Sequence, residues 1–275
     1  MPGLNISYRC CDKKLPLYIR HIEVEAIAGQ FRQQLVDATC DRMPQETLAS
    51  VDHLNVNGIP FELYLDKDNI VHDETNQPVL GICEFDPGTP DAVMVSVSPV
   101  SHMANAELVQ STLAHEFGHV VFEAPGWVVS AARGPGLFVD HTNYPYKAHR
   151  TTTPDAEHLS SQKVAAKSSN EQLRCIYFAE LRANEFMGSL LVPRLQLARG
   201  IKELAPKHFV TVSDIPCSDP KFPAFTQQLA ADEKFGFCFM KNLQNELAER
   251  FGVNRRFIQV RMDRYGYYIQ ETEWD

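Results

Sequence analysis

With 275 residues, a formal net charge of −9 and 44% hydrophobic residues, the chain has the composition of a soluble globular protein of one or two domains. The acidic balance argues against direct nucleic-acid binding, and no apolar run approaches the ~18 residues that span a membrane. The seven cysteines form no CxxC pair and the N-terminus lacks a signal-peptide layout, so we expect a cytoplasmic protein with reduced thiols.

The first part of the chain alternates between helical and strand-like patterns. Apolar residues at three- and four-residue spacing predict a helix over 17–35, and a short helix follows Pro44. Alternating apolar residues then predict strands over 61–65, 79–85 and 93–97. Short connections between these strands favour an antiparallel sheet. We expect 93–97 to be an edge strand that pairs with an extended substrate.

The next predicted helix carries the pattern HExxH. It begins near Asn105, a residue that favours the N-cap position, and continues to Phe122. His115 and His119 are one turn apart, with Cβ atoms roughly 5–6 Å from each other on one face. Two imidazoles at that spacing can hold two corners of a tetrahedral zinc site. Glu116 can act there as general base toward a metal-activated water.

Residues 124–168 form a long segment after this helix, which we expect to end at Ala124-Pro125-Gly126. A connection of this length is either a functional lid or a disordered insertion, and both interpretations stay open. Four of its side chains are candidates for oxyanion or substrate contacts: His141, Tyr144, Tyr146 and His149.

A catalytic zinc site needs a third protein ligand. Glu123 lies four residues beyond His119, but a straight helix places ligands at i, i+4 and i+8 in a line. A histidine six residues after His119, as in metzincins, is excluded because Pro125 stands there.

Glu180 is the better candidate for that ligand. It lies within a helix predicted over 168–191, and Asn184 shares its face, where it can hydrogen-bond a ligating histidine. The competitor Glu185 points about 100° away from that face. On spacing alone, the alternative that Glu180 is a solvated helix residue stays open.

Residues 200–225 are irregular in pattern, and helical spacing resumes over 234–251. A turn at Gly252-Val-Asn254 separates this helix from a last one that ends near Met262. We therefore divide the chain into a domain over 1–199 and a helical segment over 200–275.

The stretch Thr112-Leu-Ala-His-Glu-Phe-Gly-His119, with Glu180-x-x-Ala-Asn-x-Phe-x-x-x-Leu-Leu-x-Pro193 after it, resembles the ImmA/IrrE metallopeptidases. The resemblance covers roughly 17–193 and departs from the family in the length of 124–168 and in Val192, where methionine is usual. It implies an α+β, zincin-like metallopeptidase fold in which a small antiparallel sheet packs on helices. It also implies one Zn²⁺ per chain, held by His115, His119 and Glu180.

The resemblance carries functional expectations as well. It implies a gluzincin-type protease that cuts a protein substrate, a DNA-binding transcriptional repressor, with Glu116 as the base. The C-terminal helices are similar to part of a helix-turn-helix, and they either recognise a partner or only complete the core. Two alternatives remain: a non-catalytic zinc-containing regulator that binds a repressor or DNA, and a toxin-type component of a two-gene system.

Overall fold

The computed structural model describes residues 3–73, 75–86, 88–101, 104–132, 147–150, 171–216, 225–231 and 236–270. The chain forms two compact units: the first unit is Met1–Val36 with Pro44–Leu190, and the second unit is Asp37–Met43 with Leu191–Asp275. The chain therefore passes between the units at three points. The boundary expected at 199/200 falls inside a helix of the second unit. In the described part, no helix is long and apolar enough to cross a membrane.

The secondary structure is mixed, with helices and strands in both units. The helices are α1 (His21–Gln33), α2 (Gln45–Ala49), α3 (Ala106–Phe122), α4 (Ala124–Ala132), α5 (Glu171–Leu191), α6 (Arg194–Leu204), α7 (Gly236–Phe251) and α8 (Arg255–Arg264). The strands are β1 (Leu4–Ile6), β2 (His53–Val56), β3 (Ile59–Asp66), β4 (Val71–His72), β5 (Pro78–Val79), β6 (Gly81–Glu84), β7 (Ala92–Val97), β8 (Lys147–Arg150), β9 (Val210–Asp214), β10 (Gln227–Ala231) and β11 (Tyr267–Ile269).

A six-stranded sheet with the order β1-β2-β3-β7-β6-β8 organises the first unit. The β1/β2 and β3/β7 pairs are parallel, and the other pairs are antiparallel. The expected antiparallel sheet is therefore wrong: the sheet is mixed, because β3 pairs with β7 although β4, β5 and β6 lie between them in the chain. β7 is also an interior strand of this sheet, so the expectation that 93–97 forms an edge is wrong.

Helix α3 packs against β6 and β7 and is buried on nearly every side. Its start is fixed as predicted, because the Asn105 side chain accepts a hydrogen bond from the Leu108 N–H at 2.9 Å. All residues from Val109 to Phe122 are buried, including three polar residues of the HExxH motif. Burying ionisable side chains is costly unless partners or ligands compensate them, so this helix carries a site rather than a solvated face.

Aromatic rings hold helices α1, α3 and α5 of the first unit together. Phe31 of α1 contacts Phe117 of α3 and Phe186 of α5, with ring centroids 5.4 and 5.5 Å apart. Phe186 also meets Phe122 edge-on at 6.0 Å. These T-shaped contacts are a favoured aromatic geometry, and they fix α5 beside the HExxH helix.

The HExxH helix ends at Phe122, as expected, but the segment 124–168 begins with a second helix, α4, rather than with a turn. Only Glu123 separates α3 from α4, and Pro125 is tolerated because it lies in the first turn of α4. Trp127 is buried in α4. Further on, β8 pairs antiparallel with β6 and forms one margin of the sheet. Residues 133–146 and 151–168 lie outside the described residues.

The second unit contains the expected C-terminal helices and, in addition, a small sheet that the sequence did not predict. Strands β9 and β10 pair antiparallel, and β10 and β11 pair parallel. Helices α7 and α8 are joined by a short turn in which Gly252 has φ +69° and Asn254 caps α8 through the Phe257 N–H. Asp41 anchors the Asp37–Met43 loop to this unit through ion pairs with Arg199 and Arg250.

Candidate metal centre

The two histidines of the HExxH motif face each other on α3. One helical turn separates them, and their Nε2 atoms lie 3.2 Å apart. Both side chains are almost completely shielded from solvent, with 1% exposure for His115 and 0% for His119. Their Nε2 atoms therefore point to a common position inside the first unit.

Glu180 of α5 reaches the same position from the other side. One carboxylate oxygen lies 3.3 Å from Nε2 of His115, and the other lies 3.3 Å from Nε2 of His119. These three residues form a group that could hold a metal ion, the only such group among the residues that the structure describes. The side chain of Glu180 keeps 20% exposure, so the group meets solvent on the Glu180 side.

The donor geometry and chemistry fit a zinc ion. Ligand bonds of about 2.0–2.1 Å in a tetrahedron place neighbouring donor atoms about 3.3–3.4 Å apart. The two Nε2 atoms lie 3.2 Å apart, and each lies 3.3 Å from one oxygen of the Glu180 carboxylate, a different oxygen for each histidine. Two imidazoles and one carboxylate suit zinc better than magnesium or calcium, which prefer oxygen donors. Three protein donors also leave the fourth position of a tetrahedron open.

A close helix crossing brings Glu180 to the histidines. Gly118 of α3 lies against Ala183 of α5, and a Cβ atom added to Gly118 would be only 2.6 Å from the Ala183 Cα. The two helix backbones can approach this closely only because Gly118 has no side chain. Since Ala183 lies three residues after Glu180, this crossing determines how far the carboxylate extends toward α3.

Glu116 is fully buried next to the sheet. Its carboxylate lies beside Gly81 of β6, where an added Cβ would be 2.9 Å from Oε1 and 2.6 Å from Cγ2 of Thr112. Strand β6 thus passes directly over this part of α3. A glycine in the strand gives the Glu116 carboxylate the space that it occupies.

The residue that contacts His119 on its other ring nitrogen is Glu123, not the expected Asn184. Nδ1 of His119 lies 3.0 Å from Oε2 of Glu123, whereas Asn184 is exposed. Glu185, the weighed competitor of Glu180, is buried away from this group, 3.3 Å from the Ser189 hydroxyl. The sequence signal for Glu123 was its position four residues after His119, one helical turn further on.

Charge compensation shifts the pKa values of this cluster. Burial lowers the pKa of His119, but the Glu180 charge and the hydrogen bonds with both carboxylates outweigh burial and raise it well above its ordinary value. Burial raises the pKa of Glu180, yet the two histidines hold it far below its usual range. Burial likewise raises the pKa of Glu123, and Arg182 and His119 reverse that effect. The shifts of all three pKa values therefore favour the charged forms of these side chains.

The other candidate contacts fall outside this description. His141, Tyr144 and Tyr146 lie outside the described residues. His149 belongs to β8, opposite Ile82 of β6, and its side chain also lies outside the described part.

Comparison of the chain with protein-family models and with curated proteins gives no match. The residues of this site and the resemblance of its two motifs therefore remain the grounds for assigning a function.

Proposed function

We propose that the chain is a zinc-dependent metalloendopeptidase of the ImmA/IrrE type, which hydrolyses a DNA-binding transcriptional repressor in the cytoplasm. The observation that supports this proposal is the convergence of His115, His119 and Glu180 from two helices, with donor atoms 3.2–3.3 Å apart. The HExxH motif adds Glu116 next to one of these residues. A structural zinc site has no need for that acid, whereas a hydrolase needs a base.

In this proposal, each residue of the cluster has a distinct role. His115, His119 and Glu180 hold one zinc ion. When bound, zinc lowers the pKa of a water toward ~7 and polarises a carbonyl oxygen. The Glu116 carboxylate would accept a proton from the water that forms a C–O bond with the peptide carbonyl carbon. It would then donate that proton to the leaving nitrogen as the C–N bond breaks, so that no net proton is gained or lost at this side chain. Burial of Glu116 keeps bulk water away from its carboxylate.

The substrate class comes from the resemblance rather than from the geometry. The rival is a zinc-containing regulator that binds a repressor or DNA without cutting it, and a toxin-type enzyme would differ only in its target. The retained Glu116 favours an enzyme over the non-catalytic regulator.

The test is to incubate the zinc-loaded protein with the DNA-binding repressor encoded beside it and to identify products by mass spectrometry. Glu116→Gln removes the base but no metal ligand, so zinc content and repressor binding should be retained. Cleavage should fall by about 10²–10⁴-fold, the usual contribution of general-base catalysis. Glu107→Gln, the same change in the first turn of α3, is the matched control and should cleave like wild type.

His115→Ala separates the metal from the base, because it should lose zinc as well as cleavage. If Glu116→Gln retains the effect on the repressor, the chain acts by binding and the protease proposal fails. If the wild type cleaves other proteins but not the repressor, the enzyme class stands and the substrate assignment is wrong.

A further inference from the structure

The His119 ring is contacted at both nitrogens, and each contact has a different consequence. Nε2 faces His115 and Glu180, while Nδ1 lies 3.0 Å from Oε2 of Glu123. A neutral imidazole carries one N–H, so a hydrogen bond donated by Nδ1 to a carboxylate leaves the lone pair on Nε2. Glu123 therefore favours the tautomer of His119 that can bind a metal through Nε2.

Glu123 is itself fixed in both side chain and backbone. Its second oxygen, Oε1, accepts a hydrogen bond from Nη2 of Arg182 at 2.6 Å, and the Glu123 and Arg182 side chains are only 11% and 20% exposed. Its backbone N–H donates to the His119 carbonyl at 2.8 Å, and its carbonyl accepts from the Gly126 N–H at 3.0 Å. Both carboxylate oxygens of Glu123 are thus engaged, and its backbone is held at the junction between α3 and α4.

Arg182 lies on α5 only two residues after Glu180. Helix α5 therefore acts on both sides of the His119 ring. Its Glu180 faces Nε2, and its Arg182 binds Glu123, which contacts Nδ1. We infer that Glu123, held by Arg182, is a positioning residue that fixes the tautomer and orientation of His119 and thereby raises the affinity of the site for zinc. This inference rests on the metal site of the proposed function and deepens it.

An alternative role for the Arg182–Glu123 pair is structural, as an ion pair that joins two helices. In that case its loss lowers the stability of the metal-free protein and leaves the zinc affinity unchanged. In the positioning role, loss of the contact to a ligating histidine weakens metal affinity by about 10–100-fold. Zinc affinity and metal-free stability must therefore be measured separately.

The experiment compares wild type with Glu123→Gln, which keeps the size of the side chain and removes its charge. Zinc Kd is measured by competition with a chromophoric chelator, and metal-free stability is measured by thermal denaturation. The visible absorption spectrum of the cobalt-substituted protein reports ligand geometry. We expect the zinc Kd to rise about 10–100-fold, with an altered cobalt spectrum. Glu107→Gln is the matched control on the same helix and should change neither.

Arg182→Gln provides a second variant and a test of the order of action. Because Arg182 acts through Glu123, the double variant should bind zinc no more weakly than Glu123→Gln alone. A zinc Kd and a cobalt spectrum like those of wild type in Glu123→Gln would overturn the inference. So would additive effects of the two substitutions. Wild-type protein that binds zinc but cleaves neither the repressor nor any other protein would refute the proposed function and leave this inference intact.

Discussion

The close crossing of α3 and α5 at Gly118 makes a quantitative prediction for Gly118→Ala. The new Cβ would lie 2.6 Å from the Ala183 Cα and 3.0 Å from its Cβ. Ordinary van der Waals contact begins at 3.4 Å, so the helices must separate by about 0.8 Å. Metal sites tolerate changes of only about 0.2 Å in ligand distance. Glu180 then no longer reaches both histidines at the present distances.

The effect should appear in metal binding more than in the stability of the metal-free protein. Overpacking costs about 1–3 kcal/mol, and in the zinc-bound form the helices cannot separate to relieve it. A cost of that size corresponds to a roughly 5- to 150-fold rise in zinc Kd. Without metal, the helices can separate, and alanine is favoured over glycine inside a helix by about 1 kcal/mol. We therefore expect only a small change in metal-free melting temperature.

Zinc Kd from chelator competition and metal-free melting temperature are the two measurements. Gly29→Ala is the matched control, since Gly29 lies within α1 and an added Cβ meets nothing within 4 Å. That variant should bind zinc normally and gain about 0.5–1 kcal/mol of stability. Normal zinc affinity in Gly118→Ala would refute the argument that this crossing sets the ligand distances.

Three further predictions concern the base, the proton balance and the second unit. Gly81→Ala should displace the Glu116 carboxylate, so repressor cleavage should fall while zinc content stays at one per chain; unchanged cleavage would contradict this role. Because the pKa of His119 is raised in the metal-free protein, zinc must displace a proton, and affinity should increase with pH until that pKa is passed. Calorimetry of zinc binding in buffers of different ionisation enthalpy measures this proton release. If no proton is released at neutral pH, the pKa of His119 is not raised in the metal-free protein. Asp41→Asn should lower the free energy of unfolding by about 1–3 kcal/mol, because Arg199 and Arg250 lose their shared charged acceptor. Urea denaturation measures this change, and an unchanged midpoint would mean that solvent replaces the lost carboxylate.

The elements that the sequence predicted well are those with strong local signals. The HExxH helix has an N-cap residue and an apolar period, and both operate within a few residues of the chain. Alternation of apolar residues predicts the strands over 61–65 and 93–97, but it does not predict that these two strands pair with each other. A parallel pair of strands is joined by a crossover, and no local pattern states which strand lies beside which.

The candidate site divides in the same way. The spacing of His115 and His119 is local and followed from helix geometry. The approach of Glu180 depends on a helix crossing at Gly118, which only the packed structure reveals. Helix geometry excludes Glu123 as a third ligand to the ion that both histidines hold. Its contact with Nδ1 of His119, on the far side of the ring, depends on side-chain conformations that sequence spacing does not specify.

The loop Asp37–Met43 belongs to the second unit although both of its neighbours in the chain belong to the first. A protein shortened after Leu190 would still carry this loop, with Asp41 deprived of both arginine partners. The metal-site unit therefore cannot be isolated by removing one end of the gene. A clean excision would need a second, internal edit that joins Val36 to Pro44 through a new linker. Gene fusion or loss of the C-terminal unit during evolution would meet the same obstacle.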